Sequence, residues 1–130
     1  MRAAGLAAQI RLVPGGLTEE GGEEAASVLL ADPSTTAVTA FNDHCAAGLI
    51  AAARAHAVAV PGRLSVVGYD DSRIASLSSV ALTTIAQDGA TLAGSALDRA
   101  LARTEDPAEP ADEVVVPPRL VTRRTTASPA

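Results

Sequence analysis

Lysine and tryptophan are absent from this chain, and cysteine, methionine, tyrosine and phenylalanine occur once each. Each shortage excludes something. With aromatics at 2%, the core has to be built from Val, Leu, Ile and Ala. Such small side chains suit close packing of helices on a sheet. A single cysteine, Cys45, rules out an internal disulfide and fits a reducing compartment. All 10 basic side chains are arginine, against 15 carboxylates, for a formal net charge of −5. That balance argues against the chain gripping nucleic acid by itself, because phosphate binding needs clustered cations. The missing lysine reads as a biased coding background. No apolar run reaches the roughly 18 residues that span a bilayer. Met1-Arg2 is followed by a mixed segment rather than a secretory signal. A cytoplasmic location is expected.

What is present is one domain's worth of chain, 130 residues with 48% hydrophobic side chains. Residues 1–8 read as the end of a helix that stops near Gly5. "QIRLVPGG" reads as a short strand closed by Pro14-Gly15-Gly16. "LTEEGGEEAASVLLAD" reads as a helix with Thr18 as its N-cap. The cluster Glu19, Glu20, Glu23, Glu24 is its solvated first turns, favoured by the helix dipole, rather than a metal site. Gly21-Gly22 weakens the helix at its start. "TAVTAF" is a second strand, and residues 43–57 form an apolar helix covered on two sides. "LSVVGYD" and "ALTTIA" are further strands. From 88 to 103, Leu92, Ala96, Leu97, Ala100 and Leu101 share one helical face. "TEDPAEPAD" is a linker, "EVVVPPRLVTRR" two short strands broken by Pro117-Pro118, and the last residues fray.

Strands alternating with helices indicate right-handed βαβ units, a parallel sheet flanked by helices in three layers. Ligands of such sheets bind beyond the carboxyl ends of the strands. Asn42-Asp43 ends one strand and Asp70-Asp71 the next. Amides and carboxylates there can bond a polyhydroxylated ligand in two directions. The competing reading is that Asp43 caps its helix and Asn42, Asp70 and Asp71 are ordinary turn residues. His44 and Cys45 are adjacent and so point about 100° apart along a helix. His56 lies three turns away. Neither a zinc site nor a Cys-His pair follows, and no catalytic residue, metal ligand or cofactor is assigned. An enzyme using Asp43 and Asp70 as paired carboxylates would need a second functional set that the sequence does not show.

Four segments in series carry a resemblance. "NDHCAAG" (42–48), "VPGRLSVVGYDDS" (60–72), "LTTIAQD" (82–88) and "VPPRLVTRRTT" (116–126) resemble, in order and spacing, motifs of the LacI/GalR family of transcriptional regulators. The resemblance implies the periplasmic-binding-protein-like (type I) effector domain, two α/β lobes with a sugar or small polar metabolite between them. By it, Asn42, Asp70 and Gln87 contact the effector, with Asp43, Tyr69 and Asp71 as further candidates. Many members carry a stacking aromatic two positions after Gln87, where this chain has Gly89. The implied division is the C-terminal lobe over 1–86, a helix and linker belonging to the other lobe over 87–111, returning strands over 112–124, and a disordered tail over 125–130. Family members dimerise through this lobe and bind DNA through an N-terminal helix-turn-helix. That segment, the first lobe and an upstream effector-contacting arginine are not in this sequence. A homodimer is expected, and a ligand-free dimerising or vestigial fragment is the other reading.

Overall fold

The structure is a computed structural model that describes residues 5–106 and 113–128. Its elements run α1 (Glu19–Leu30), β1 (Ala37–Thr39), α2 (Asp43–Ala55), β2 (Ser65–Asp70), α3 (Arg73–Ser76), β3 (Thr83–Ala86), α4 (Gly89–Glu105) and β4 (Arg119–Val121). The strands form one sheet in the order β1-β2-β3-β4. The first three are parallel, with Thr39 opposite Val67 and Asp70 opposite Ala86. The returning strand β4 is antiparallel to β3, Ile85 facing Leu120, so the sheet expected to be parallel is mixed at this edge.

The crossovers through α2 and α3 advance along the sheet in one direction, so their helices stack on one face. There Leu49 and Ile50 of α2, Ala25, Ala26 and Leu29 of α1 and Ala75 of α3 enclose Leu64, Val66 and Leu82. Val67 and Tyr69, on the opposite face of β2, are only partly covered. α1, α2 and α3 thus form one helical layer on this face of the sheet.

α1 lies close on α2 because two glycines let it. A side chain at Gly22 would collide with the Cys45 carbonyl, and one at Gly48 with the Glu19 carbonyl. Gly22, read from the sequence as a weakness of α1, is thus the condition for its packing. Thr18 caps the helix as expected, its hydroxyl accepting from the Gly21 N–H at 3.2 Å.

Four further expectations change. No strand forms over residues 9–16. Its backbone finds no partner strand: among the described residues β1 pairs with β2 alone, and Leu12 is 92% exposed. Only one of the two strands expected over 113–124 forms, since Pro117 and Pro118 carry no N–H for a ladder. The tail does not fray at Thr125. That residue is buried, its carbonyl accepts from Val66 N–H at 2.8 Å, and its hydroxyl donates to the Val66 carbonyl at 2.7 Å. The chain is held to the sheet as far as Ala127, whose N–H donates to Ser65 Oγ at 3.2 Å. The linker expected over 104–112 begins later, because α4 continues to Glu105. Residues 107–112, and the first four residues of the helix end expected over 1–8, lie outside the described residues.

Candidate functional site

The carboxyl ends of β1, β2 and β3 share one edge. β1 hands over to Ala40, whose N–H donates to the Val67 carbonyl at 2.8 Å, and Asp70 lies level with Ala86. Asn42, Asp70 and Gln87 therefore all sit at that edge, one at the end of each parallel strand. The two aromatics sit there too. Phe41 is 71% exposed and Tyr69 is partly exposed at the end of β2. Phe41 was not singled out in the sequence; its place beside Asn42 in a chain with a single phenylalanine was the available signal.

The two members of the Asn42-Asp43 pair part company. Asn42 is the N-cap of α2: its Oδ1 accepts from Cys45 N–H at 2.8 Å while its Nδ2 donates to the Leu17 carbonyl at 2.9 Å. An amide has two donor hydrogens and two acceptor lone pairs, so half of its capacity remains at the edge. Asp43 turns the other way and is fully buried. It accepts from the Ser72 N–H at 2.6 Å and from the Thr84 hydroxyl at 2.5 Å. A side chain at Gly68 would collide with the Asp43 carboxylate. The candidate role of Asp43 in ligand contact is corrected: with no solvent exposure, it ties α2 to the β2–α3 corner and to β3. It is also not the helix cap, since Asn42 holds that position.

Asp70 and Gln87 are brought together. Gln87 Nε2 donates to Asp70 Oδ1 at 3.0 Å, and both side chains are exposed. Asp70 Oδ2 has no protein partner among the described residues. The backbone beneath is strained, with φ of 104° at Asp70 and 51° at Asp71. Non-glycine residues in sparsely populated regions cost about 1–3 kcal/mol each and persist only where their surroundings hold them. Asp71, a further candidate at this edge, is engaged in an ion pair: its Oδ1 accepts from Arg123 Nη2 at 2.6 Å. The partnership of Asp71 with Arg123, distant in sequence, had no local signal.

Beside β1 a pocket of about 90 Å³ is lined by Gly15, Gly16, Val38, Phe41 and Cys45 among others. Burial pushes the Cys45 thiol above its ordinary pKa, and the thiol donates to the Gly15 carbonyl at 3.3 Å. A thiol held in that state is a poor nucleophile. His44 points elsewhere, its Nδ1 3.2 Å from Glu19 Oε1 on the surface of α1. Among the described residues no group of His, Cys, Asp and Glu is placed to hold a metal ion. No helix there is long and apolar enough to cross a membrane.

The chain as a whole is similar to known proteins. A family model, the periplasmic binding protein-like domain, matches residues 1–126. The chain belongs to this family. Its relatives in it are LacI/GalR regulators. The HTH-type transcriptional regulator GalR of Escherichia coli is 35% identical over 129 residues, which are 98% of this chain and 38% of GalR. A LacI transcriptional regulator from a Rhodococcus species is 44% identical with a TM-score of 0.88, over 96% of this chain and 46% of that one. A LacI family regulator from Enterococcus faecium with bound ribose is 30% identical with a TM-score of 0.85, over 94% and 45%. These relatives are transcriptional regulators, not enzymes. The chain is thus a LacI-type effector-domain sequence that spans less than half the length of the proteins it resembles.

Proposed function

We propose that this LacI-type chain is the C-terminal lobe of an effector-sensing domain. It would hold a sugar or similarly hydroxylated metabolite at the carboxyl edge of its sheet. The observation that carries this is the exposed Asp70–Gln87 pair, set on strained backbone beside the half-free amide of Asn42. A carboxylate oxygen and an amide with spare donors suit vicinal hydroxyls. Phe41, exposed at the same edge, offers an apolar ring face that Gly89 cannot supply. The ribose-bound relative supports a sugar as the class of effector.

In this reading operator DNA is met only through a helix-turn-helix in the parent protein, acting as a cytoplasmic repressor. α4 belongs to the other lobe: none of its residues is buried, and Leu92, Leu97 and Leu101 are exposed. The same exposed face supports a homodimer of this chain.

Isothermal titration with D-ribose, followed by a panel of aldoses and polyols, tests the reading. Binding without turnover is expected. Asp70→Ala should weaken it by about 1–3 kcal/mol, the range for losing a hydrogen bond to a charged group. Turnover would make the chain an enzyme. Silence across the panel would sink the sensing role and leave a ligand-free dimerising fragment.

A further inference from the structure

Asp70 and Asp71 are consecutive residues at positive φ, and each resists that conformation on steric grounds. Two contacts hold the corner from different sides. From inside, Asp43 accepts from the Ser72 N–H at 2.6 Å. From outside, Arg123 donates to Asp71 at 2.6 Å, with side chains 22% and 23% exposed. Arg123 does more than neutralise a charge. Its Nη1 donates to the Leu82 carbonyl at 2.9 Å, and its N–H donates to Thr83 Oγ1 at 2.9 Å. One residue thus joins the corner after β2, the entry to β3 and the segment leaving β4. The planar guanidinium fork serves two acceptors at once, which an ammonium would do with less constraint.

We propose that Arg123 is a positioning residue for the ligand edge. Through Asp71 it fixes the strained corner so that the Asp70 carboxylate stays against Gln87, and it carries any shift of β4 against β3 to that corner. β3 and β4 are antiparallel neighbours, so a displacement between them reaches Arg123 within a few residues of the ladder. The ligand role of the edge rests on the function proposed above; the brace itself does not.

Hydrogen exchange of the ligand-free chain tests the brace. Asp71→Asn removes the ion pair and leaves the bonds of Arg123 to Leu82 and Thr83 in place. Arg123→Gln removes the guanidinium. Both should speed exchange of the Ser72 and Ala75 amides by about fivefold, with the amides of α1 and α2 unchanged. The double variant should exchange no faster than Arg123→Gln, because the two residues act as one unit. Exchange at Ser72 and Ala75 that is unchanged in Asp71→Asn would overturn the proposal. A rise spread evenly over α1 and α2 would overturn it as well, since Arg123 would then support the whole fold. D-ribose titration of the same variants separates the two readings. A loss of affinity matching the rise in exchange extends the brace to the ligand. If ribose and the aldose panel bind neither parent nor variant, the sensing role fails while exchange still decides the brace.

Discussion

Asp43 accepts two hydrogen bonds with no contact to water, and both of its donors belong to other elements. Its removal leaves the Ser72 N–H and the Thr84 hydroxyl buried without an acceptor, each such loss costing about 1–3 kcal/mol. Asp43→Ala should therefore lower the unfolding free energy by about 3 kcal/mol, read from the urea midpoint at unchanged slope. A midpoint equal to that of the parent chain would show that the tie is dispensable. Asp70 is the opposite case. Its carboxylate is exposed, so Asp70→Ala should affect ligand affinity far more than the urea midpoint. The aspartates of "NDHCAAG" and "GYDDS" differ in burial, Asp43 being enclosed and Asp70 exposed.

Among the helices, glycine has opposite meanings in α2 and α4. Gly to Ala within a helix is ordinarily favourable by up to ~1 kcal/mol. At Gly94 nothing lies within 4 Å of an added methyl group, so Gly94→Ala should raise stability. At Gly48 the methyl group meets the Glu19 backbone, so Gly48→Ala should destabilise by about 1–3 kcal/mol as α1 is pushed off α2. Thermal melts of the two variants in parallel check the signs; a stabilising Gly48→Ala would remove the close-approach account of α1 and α2. α4 also carries a pH signature at its start. Asp88 accepts from the Thr91 N–H at 3.0 Å and from its hydroxyl at 2.7 Å, and these bonds hold its pKa below the ordinary carboxylate value. A group with a lowered folded pKa contributes stability above its unfolded value and loses it as pH falls through the folded one. Acid titration followed by NMR should show the first turn of α4 loosening below about pH 4, while α2, capped by the uncharged Asn42, keeps its N-terminus.

At the scale of the molecule, α4 is turned inside out. Ser95, Arg99 and Ala102 are its half-buried positions, while Leu97 is 60% and Leu101 55% exposed. Burying a leucine is worth roughly 1.5–3 kcal/mol, so a chain that leaves this face in water forgoes several kcal/mol. A second copy of the chain can cover it. Light scattering across a concentration series should then give a mass above 13.0 kDa that falls toward that value on dilution. Leu97→Glu with Leu101→Glu should shift the species to monomer. A constant mass of one chain at all concentrations would remove the homodimer.

The alternation of strands and helices, the helix cap at Thr18, the parallel core strands and the edge shared by Asn42 and Asp70 were legible in the sequence, because each rests on local periodicity or on where a strand must end; Gln87 was placed there by the family resemblance. The family resemblance was legible too, in motifs each held within one short segment. What the tertiary structure decided involves partners far apart in the chain. Asp43 against Thr84, Asp71 against Arg123, Thr125 against Val66 and Gly48 against Glu19 are set by how elements pack, which no window of neighbouring residues contains. The expected strand at residues 9–16 failed for the same reason: a strand forms only where a neighbour accepts its hydrogen bonds, and propensity supplies no neighbour.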